Sequence, residues 1–147
     1  MNPNKVLIVT GMDRSGTSLV ASSLQASGVF MGERLFEANR GNPFGYFEDE
    51  TFLNFHIRLL RAANLEGLHF YSSPEALGRT VSITETDIQE AQNLIAQRHD
   101  YALWGFKDPR AVLFLEFWQQ LIPDLKVICL YRFPLEICLS LFSRGDG

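Results

Sequence analysis

Apolar runs and turn residues follow one another along this 147-residue chain in an order that predicts alternating strands and helices. Val6 to Thr10 is a short, continuous apolar run ending at Gly11, the pattern of a strand buried on both faces as in parallel sheets. Turn residues Gly11 to Gly16 follow, and Thr17 to Ser27 then reads as a helix closed by Gly28. Residues 28 to 47 are rich in glycine, asparagine and proline and read as a long loop, which in a compact domain is more often functional than idle. Glu48 to Asn64 predicts a second helix, acidic in its first turn, with Phe52, Phe55, Leu59 and Leu60 at helical spacing. Residues 65 to 81 read as irregular. Ser82-Ile-Thr-Glu85 has capping-box spacing and introduces a helix to about Arg98.

The strand-then-helix pattern then recurs. Ala102 to Lys107 reads as a strand, and Asp108-Pro109 opens a helix with a cap residue and a proline at its first position, running through Phe114, Leu115 and Trp118 to Leu121. Lys126 to Tyr131 is the third strand, and Pro134 starts the last helix. This alternation predicts an α/β fold, a three-layer sandwich with a mainly parallel sheet, and the length fits a single domain over residues 1–147. Ligands on such sheets bind beyond the carboxyl ends of the strands. All three strands deliver chemistry there: Arg14 to Ser18, Lys107 to Arg110, and Arg132.

Composition narrows the partners. With 13 basic against 17 acidic residues the net charge is −4, which does not recommend nucleic acid, so an anion site has to be a local gathering of arginine and lysine. No apolar run is long enough to span a bilayer, and the first residues lack a basic segment followed by an apolar one with a small-residue cleavage site, so no secretion signal is expected. Cys129 and Cys138 read as buried thiols in a reducing cytoplasm. No Cys/His spacing suits a metal.

The loop Gly11-Met-Asp-Arg-Ser-Gly-Thr-Ser18 has the two glycines of a nucleotide-binding loop and no lysine after the second, where Thr17 stands. Gly11 and Gly16 allow a tight turn whose N–H groups face an anion at the helix start, with Arg14 supplying charge and Ser15, Thr17 and Ser18 hydroxyl donors. A structural turn with an incidental arginine is the plainer alternative. After the third strand, Arg132 precedes Ser140 by eight residues, so at about 1.5 Å rise per residue the serine lies roughly two turns along a helix and can face back toward the loop.

Together GMDRSGTS, WGFKDPR and YRFPLEICLSL resemble the signatures of sulfotransferases that use 3′-phosphoadenosine 5′-phosphosulfate (PAPS), with a P-loop-like core. The resemblance implies that Arg14, Ser15, Gly16, Thr17 and Ser18 bind the 5′-phosphosulfate, and that Arg132 with Ser140 binds the 3′-phosphate. It further implies that Arg14 neutralises charge on the departing phosphate, that Lys107 assists at the sulfuryl group, and that no metal takes part. Glu48 is the candidate base for the acceptor, and a helix-start position gives it a purely electrostatic alternative role. His56 is the second candidate. The acceptor is a carbohydrate, lipid, peptide tyrosine or small phenol, and Phe44, Tyr46 and Phe47 line its pocket or pack in the core.

Members of that family continue beyond the serine-bearing helix, whereas this sequence ends at Arg144-Gly-Asp-Gly147. The expectation is a short or truncated member, or the first part of a longer one, with an open strand edge that invites self-association. Two rivals stand beside the enzyme: a module that binds the nucleotide without chemistry, and a magnesium-dependent P-loop kinase, against which the missing loop lysine speaks.

Overall fold

The computed structural model describes residues 4–65 and 81–144, so the stretch read as irregular lies almost wholly outside the described residues. Strands β1 (Lys5–Gly11), β2 (Leu103–Lys107) and β3 (Lys126–Leu130) form one parallel sheet in the order β2-β1-β3. Helices α1 (Thr17–Ala26), α2 (Glu50–Ala62), α3 (Glu85–Ala96), α4 (Leu115–Leu121) and α5 (Pro134–Arg144) surround it, with a 3₁₀ helix over Pro109–Phe114.

Side chains alternate across a strand, so β1 feeds two cores. Val6 and Ile8, with Trp104 and Phe106 of β2, pack against Phe52 and Phe55 of α2 and Trp118 of α4. On the other face Val9 meets Ala21 of α1, Val29 and Met31. Helices on both faces make the α/β sandwich, and they explain why β1 is apolar at consecutive positions. Each fully buried Phe or Ile contributes about 1.5–3 kcal/mol, so the aromatic face carries most of the stabilisation.

Gly11 closes β1 against the backbone of β3. A Cβ there would collide with the Leu130 carbonyl, so the residue that turns the chain into the loop has to be glycine.

The structure corrects several local expectations. The capping box uses Thr84 and Asp87 rather than Ser82 and Glu85: Asp87 N–H donates to Thr84 Oγ1 at 3.3 Å, and Thr84 N–H donates to Asp87 Oδ2 at 2.7 Å. The helix expected from Asp108 to Leu121 is instead 3₁₀ up to Phe114 and α-helical after it, because Phe114 leaves helical geometry (φ −122°, ψ 14°) to stack on His56 at 4.9 Å. Cys129 and Cys138 are exposed rather than buried. They lie on edge strand β3 and on α5, where Val127 (41% exposed), Leu135, Leu139 and Phe142 also face outward. No described element covers that side.

Candidate functional site

The loop after β1 leads into α1 through two residues in left-handed geometry, Arg14 (φ 65°) and Gly16 (φ 100°). A non-glycine residue there costs on the order of 1–3 kcal/mol, and such strain clusters at binding sites. Gly16 caps α1 without a side-chain hydrogen bond, and no acidic residue occupies the helix's first turn. The N–H groups of that turn have no intrahelical acceptor and present positive potential. Beside them the Ser15 hydroxyl is buried with no hydrogen-bond partner among the described residues. Thr17 is buried in the first turn. Ser18 Oγ donates to the Tyr46 carbonyl and accepts from Asn42 Nδ2, each at 3.2 Å, which ties the loop to the long segment after α1.

Residues from the other end of the chain join this loop. Arg14 Nε donates to Ser140 Oγ at 2.9 Å, and Arg132 Nη1 donates to the Arg14 carbonyl at 3.2 Å. The serine therefore does face back, but its hydroxyl serves Arg14, while Arg132 Nε is held by Glu136 at 2.9 Å. Two guanidinium groups thus stand at one helix N-terminus.

Glu48 lies outside α2. Asp49 is that helix's N-cap, accepting from Thr51 N–H at 2.9 Å, so a first-turn dipole role does not account for Glu48. Its carboxylate is buried and accepts a hydrogen bond from Lys107 Nζ at 2.6 Å, with Arg110 Nη1 at 3.6 Å. Burial pushes the Glu48 carboxyl up. The Lys107 ammonium opposes this and Asp108 reinforces it, and the group ends above its ordinary value of 4.5. Lys107, the last residue of β2, is 3% exposed and sits beneath Glu48.

Behind this pair lies a buried chain of hydrogen bonds. Trp118 Nε1–H donates to His56 Nε2 at 2.9 Å, so that nitrogen carries the lone pair. His56 Nδ1–H then donates to Asp108 Oδ2 at 2.8 Å. Burial raises the Asp108 carboxyl, but the bond from His56 and the charge and backbone N–H of Arg110 outweigh it and hold the group below its ordinary value. With both ring nitrogens occupied and no exposed surface, His56 is a core residue that positions Asp108, which in turn fixes Arg110 at 2.8 Å.

Two clefts open on either side of the segment that carries these groups. The first, of 490 Å³, is lined by Arg14, Gly16, Thr17, Ser18, Phe47 and Arg132 among others. The second, of 530 Å³, is lined by Asp13, Phe36, Tyr46, Glu48, Glu50 and Arg110 among others. Gly45 and Phe47 face the first cleft and Tyr46 and Glu48 the second, so residues 45–48 with Asp13-Arg14 form the partition between them. The aromatics of the long loop divide accordingly, with Phe44 on the first side and Tyr46 on the second. Asn42 is the contributor that residue-by-residue reading missed; its only signal was its place in a Gly-Asn-Pro turn.

Among the described residues no helix is long and apolar enough to cross a membrane. No curated protein matches the chain. A model of the sulfotransferase family matches residues 7–145, a span that includes both clefts and every residue of the site. On that match, and on a parallel sheet whose strand ends gather Arg14, Lys107 and Arg132, the chain belongs to the sulfotransferase family.

Proposed function

We propose that this chain transfers a sulfuryl group from PAPS to a hydroxyl or amine acceptor, without a metal. The observation that carries this reading is the meeting of Arg14, Arg132 and Ser140 at the uncapped N-terminus of α1, from positions 118 and 126 residues apart. The donors fit a phosphate-bearing ligand: the buried Ser15 hydroxyl lacks a partner among the described residues, the helix start is positive, and the first cleft, at 490 Å³, has the volume of a small-ligand site. Bound there, PAPS would supply an activated sulfuryl group to the acceptor oxygen or nitrogen, with the electron pair of the broken sulfur–oxygen bond staying on the phosphate.

The chain's own residues have separable roles. Arg14 and the α1 N–H groups would hold the 5′ end and balance its charge, and Arg132 with Ser140 the 3′-phosphate. Ser140 reaches that phosphate by exchanging its bond to Arg14. Glu48, in the partition, would take the acceptor's proton. Lys107 holds Glu48 and comes to the sulfuryl group only by exchanging that contact; as it stands, it is a positioning residue. Exposed thiols at Cys129 and Cys138 suit a reducing compartment, so we place the chemistry in the cytoplasm.

Calorimetry with 3′-phosphoadenosine 5′-phosphate (PAP) in metal-free buffer tests the donor site. Binding is expected, weakened about 10- to 100-fold by Arg132→Ala, as for loss of a charge-assisted hydrogen bond. Binding unaffected by the substitution would remove Arg132 from the site, and a preference for magnesium-ATP would favour the kinase reading.

The rate should also depend on pH in a set direction. A base has to be ionised, and the Glu48 carboxylate is lost as pH falls through a value raised above the ordinary 4.5. We expect kcat/KM to fall on the acid side with a midpoint above 4.5. A profile flat down to the ordinary carboxylate range would count against Glu48.

A further inference from the structure

The second cleft says what kind of acceptor this site takes. We infer that it receives a hydroxylated acceptor with an apolar ring and a cationic or neutral remainder, held by Asp13, and that it rejects anionic acceptors. The inference rests on the sulfuryl-transfer reading only in calling the ligand an acceptor; the cleft and its charge stand independently.

Position comes first. The cleft shares its partition with the nucleotide cleft, and Glu48 lines it from that partition. A molecule seated there has its reactive group beside the Glu48 carboxylate, the one contributed by residues 45–48. The adjoining wall is tied to the partition by an antiparallel bridge, Leu35 to Asp49, with Phe36 N–H donating to the Glu48 carbonyl at 2.7 Å and Glu50 N–H to the Arg34 carbonyl at 2.9 Å. Those backbone bonds fix Phe36 edge-on to Tyr46, ring centroids 5.1 Å apart. Leu53 and Ile57 of α2 line the cleft as well. Aromatic edges over an aliphatic floor suit a flat ring, either aromatic or the apolar face of a sugar.

Charge then selects. Asp13, Glu48 and Glu50 bring three carboxylates to the lining against one guanidinium, Arg110. Glu48 is balanced by Lys107, and Glu50 by Arg34 at 3.1 Å. Arg110 is engaged by Asp108 at 2.8 Å and approaches Glu48 at 3.6 Å, so its charge is already answered. Asp13 is half-buried and has no ion pair among the described residues. The uncompensated charge of the cleft is therefore negative. An acceptor bearing a carboxylate or sulfate would meet it at close range, and an ammonium would be drawn to it.

Three phenols that differ only in the group ending a short arm test this: cationic tyramine, neutral tyrosol and anionic phloretate. Each is titrated by calorimetry into the chain, with and without saturating PAP, and followed as an acceptor with PAPS. We expect tyramine to bind about tenfold more tightly than phloretate, tyrosol between them, as a single partly solvated charge pair provides. Asp13→Asn should shrink that ratio toward one and Asp13→Lys should reverse it, while both variants still bind PAP. A flat or reversed order, an order indifferent to Asp13, or no phenol binding at all would overturn the inference while PAP binding left the donor reading standing. Loss of PAP binding with the Asp13-dependent order intact would do the opposite.

Discussion

Glu48→Gln is expected to lower kcat by roughly 10²–10⁴ while PAP affinity changes by less than about threefold, the range for removing a positioned base. Glutamine keeps the shape, and its amide oxygen still accepts from Lys107 Nζ, which lies 2.6 Å from the native carboxylate. It cannot accept the acceptor's proton. The substitution leaves the buried Lys107 ammonium without its counter-ion, so a loss of folding has to be told apart from a loss of chemistry. Circular dichroism of the variant, and of the double variant Glu48→Gln with Lys107→Met, makes that distinction: the double variant should recover stability and stay inactive. A single variant that keeps more than a tenth of the wild-type rate would remove Glu48 from the reaction, and one that folds but no longer binds PAP would make it a structural residue of the partition. Retained binding without turnover would separate the enzyme from a module that only binds nucleotide.

The second large effect is on stability. Arg98→Met is expected to cost about 3–5 kcal/mol, the usual result of removing one partner of a buried ion pair, out of a total of roughly 5–15 kcal/mol. Arg98 and Asp49 are 4% and 2% exposed, and Arg98 Nη2 donates to Asp49 Oδ2 at 2.8 Å. The guanidinium also lies over the rings of Phe30 and Phe52, at 5.7 Å and 5.8 Å from their centroids. Asp49 already gives its other oxygen to Thr51 N–H and Thr51 Oγ1, at 2.9 Å and 2.7 Å, so no spare donor replaces the arginine. Methionine fills the aliphatic volume but strands a buried carboxylate. Urea denaturation would show the loss as a lower midpoint at unchanged slope, and Asp49→Asn in the same chain should restore part of it. A loss below about 1 kcal/mol would place this pair with surface ion pairs. The clamp bears on function because Asp49 directly follows Glu48: the bond that ties α2 to the end of α3 also anchors the partition.

Much of the fold was legible in the chain because its signals are local. A continuous apolar run, a glycine that alone fits beside the Leu130 carbonyl, and a proline-started helix are properties of a few neighbouring residues. The same holds for the motifs around Arg14, Lys107 and Arg132. Where two local signals compete, the sequence cannot choose. Ser82 to Glu85 and Thr84 to Asp87 both have capping spacing, and the choice falls to Asp87 because its carboxylate also receives Arg58 Nη1 of α2 at 2.7 Å. Burial decides between other readings: the helix-start alternative for Glu48 gives way to a buried pair with Lys107, 59 positions away.

By itself, then, the sequence determined the alternation of strands and helices, the sheet's parallel character and the glycine-framed turn of the first loop, since backbone geometry and spacing set all three. Only the tertiary structure decided that Ser140 meets Arg14, that His56 is sealed between Trp118 and Asp108, and that residues 45–48 divide two clefts. Those outcomes depend on which distant side chains share a buried space, and on which polar groups burial forces to find partners there.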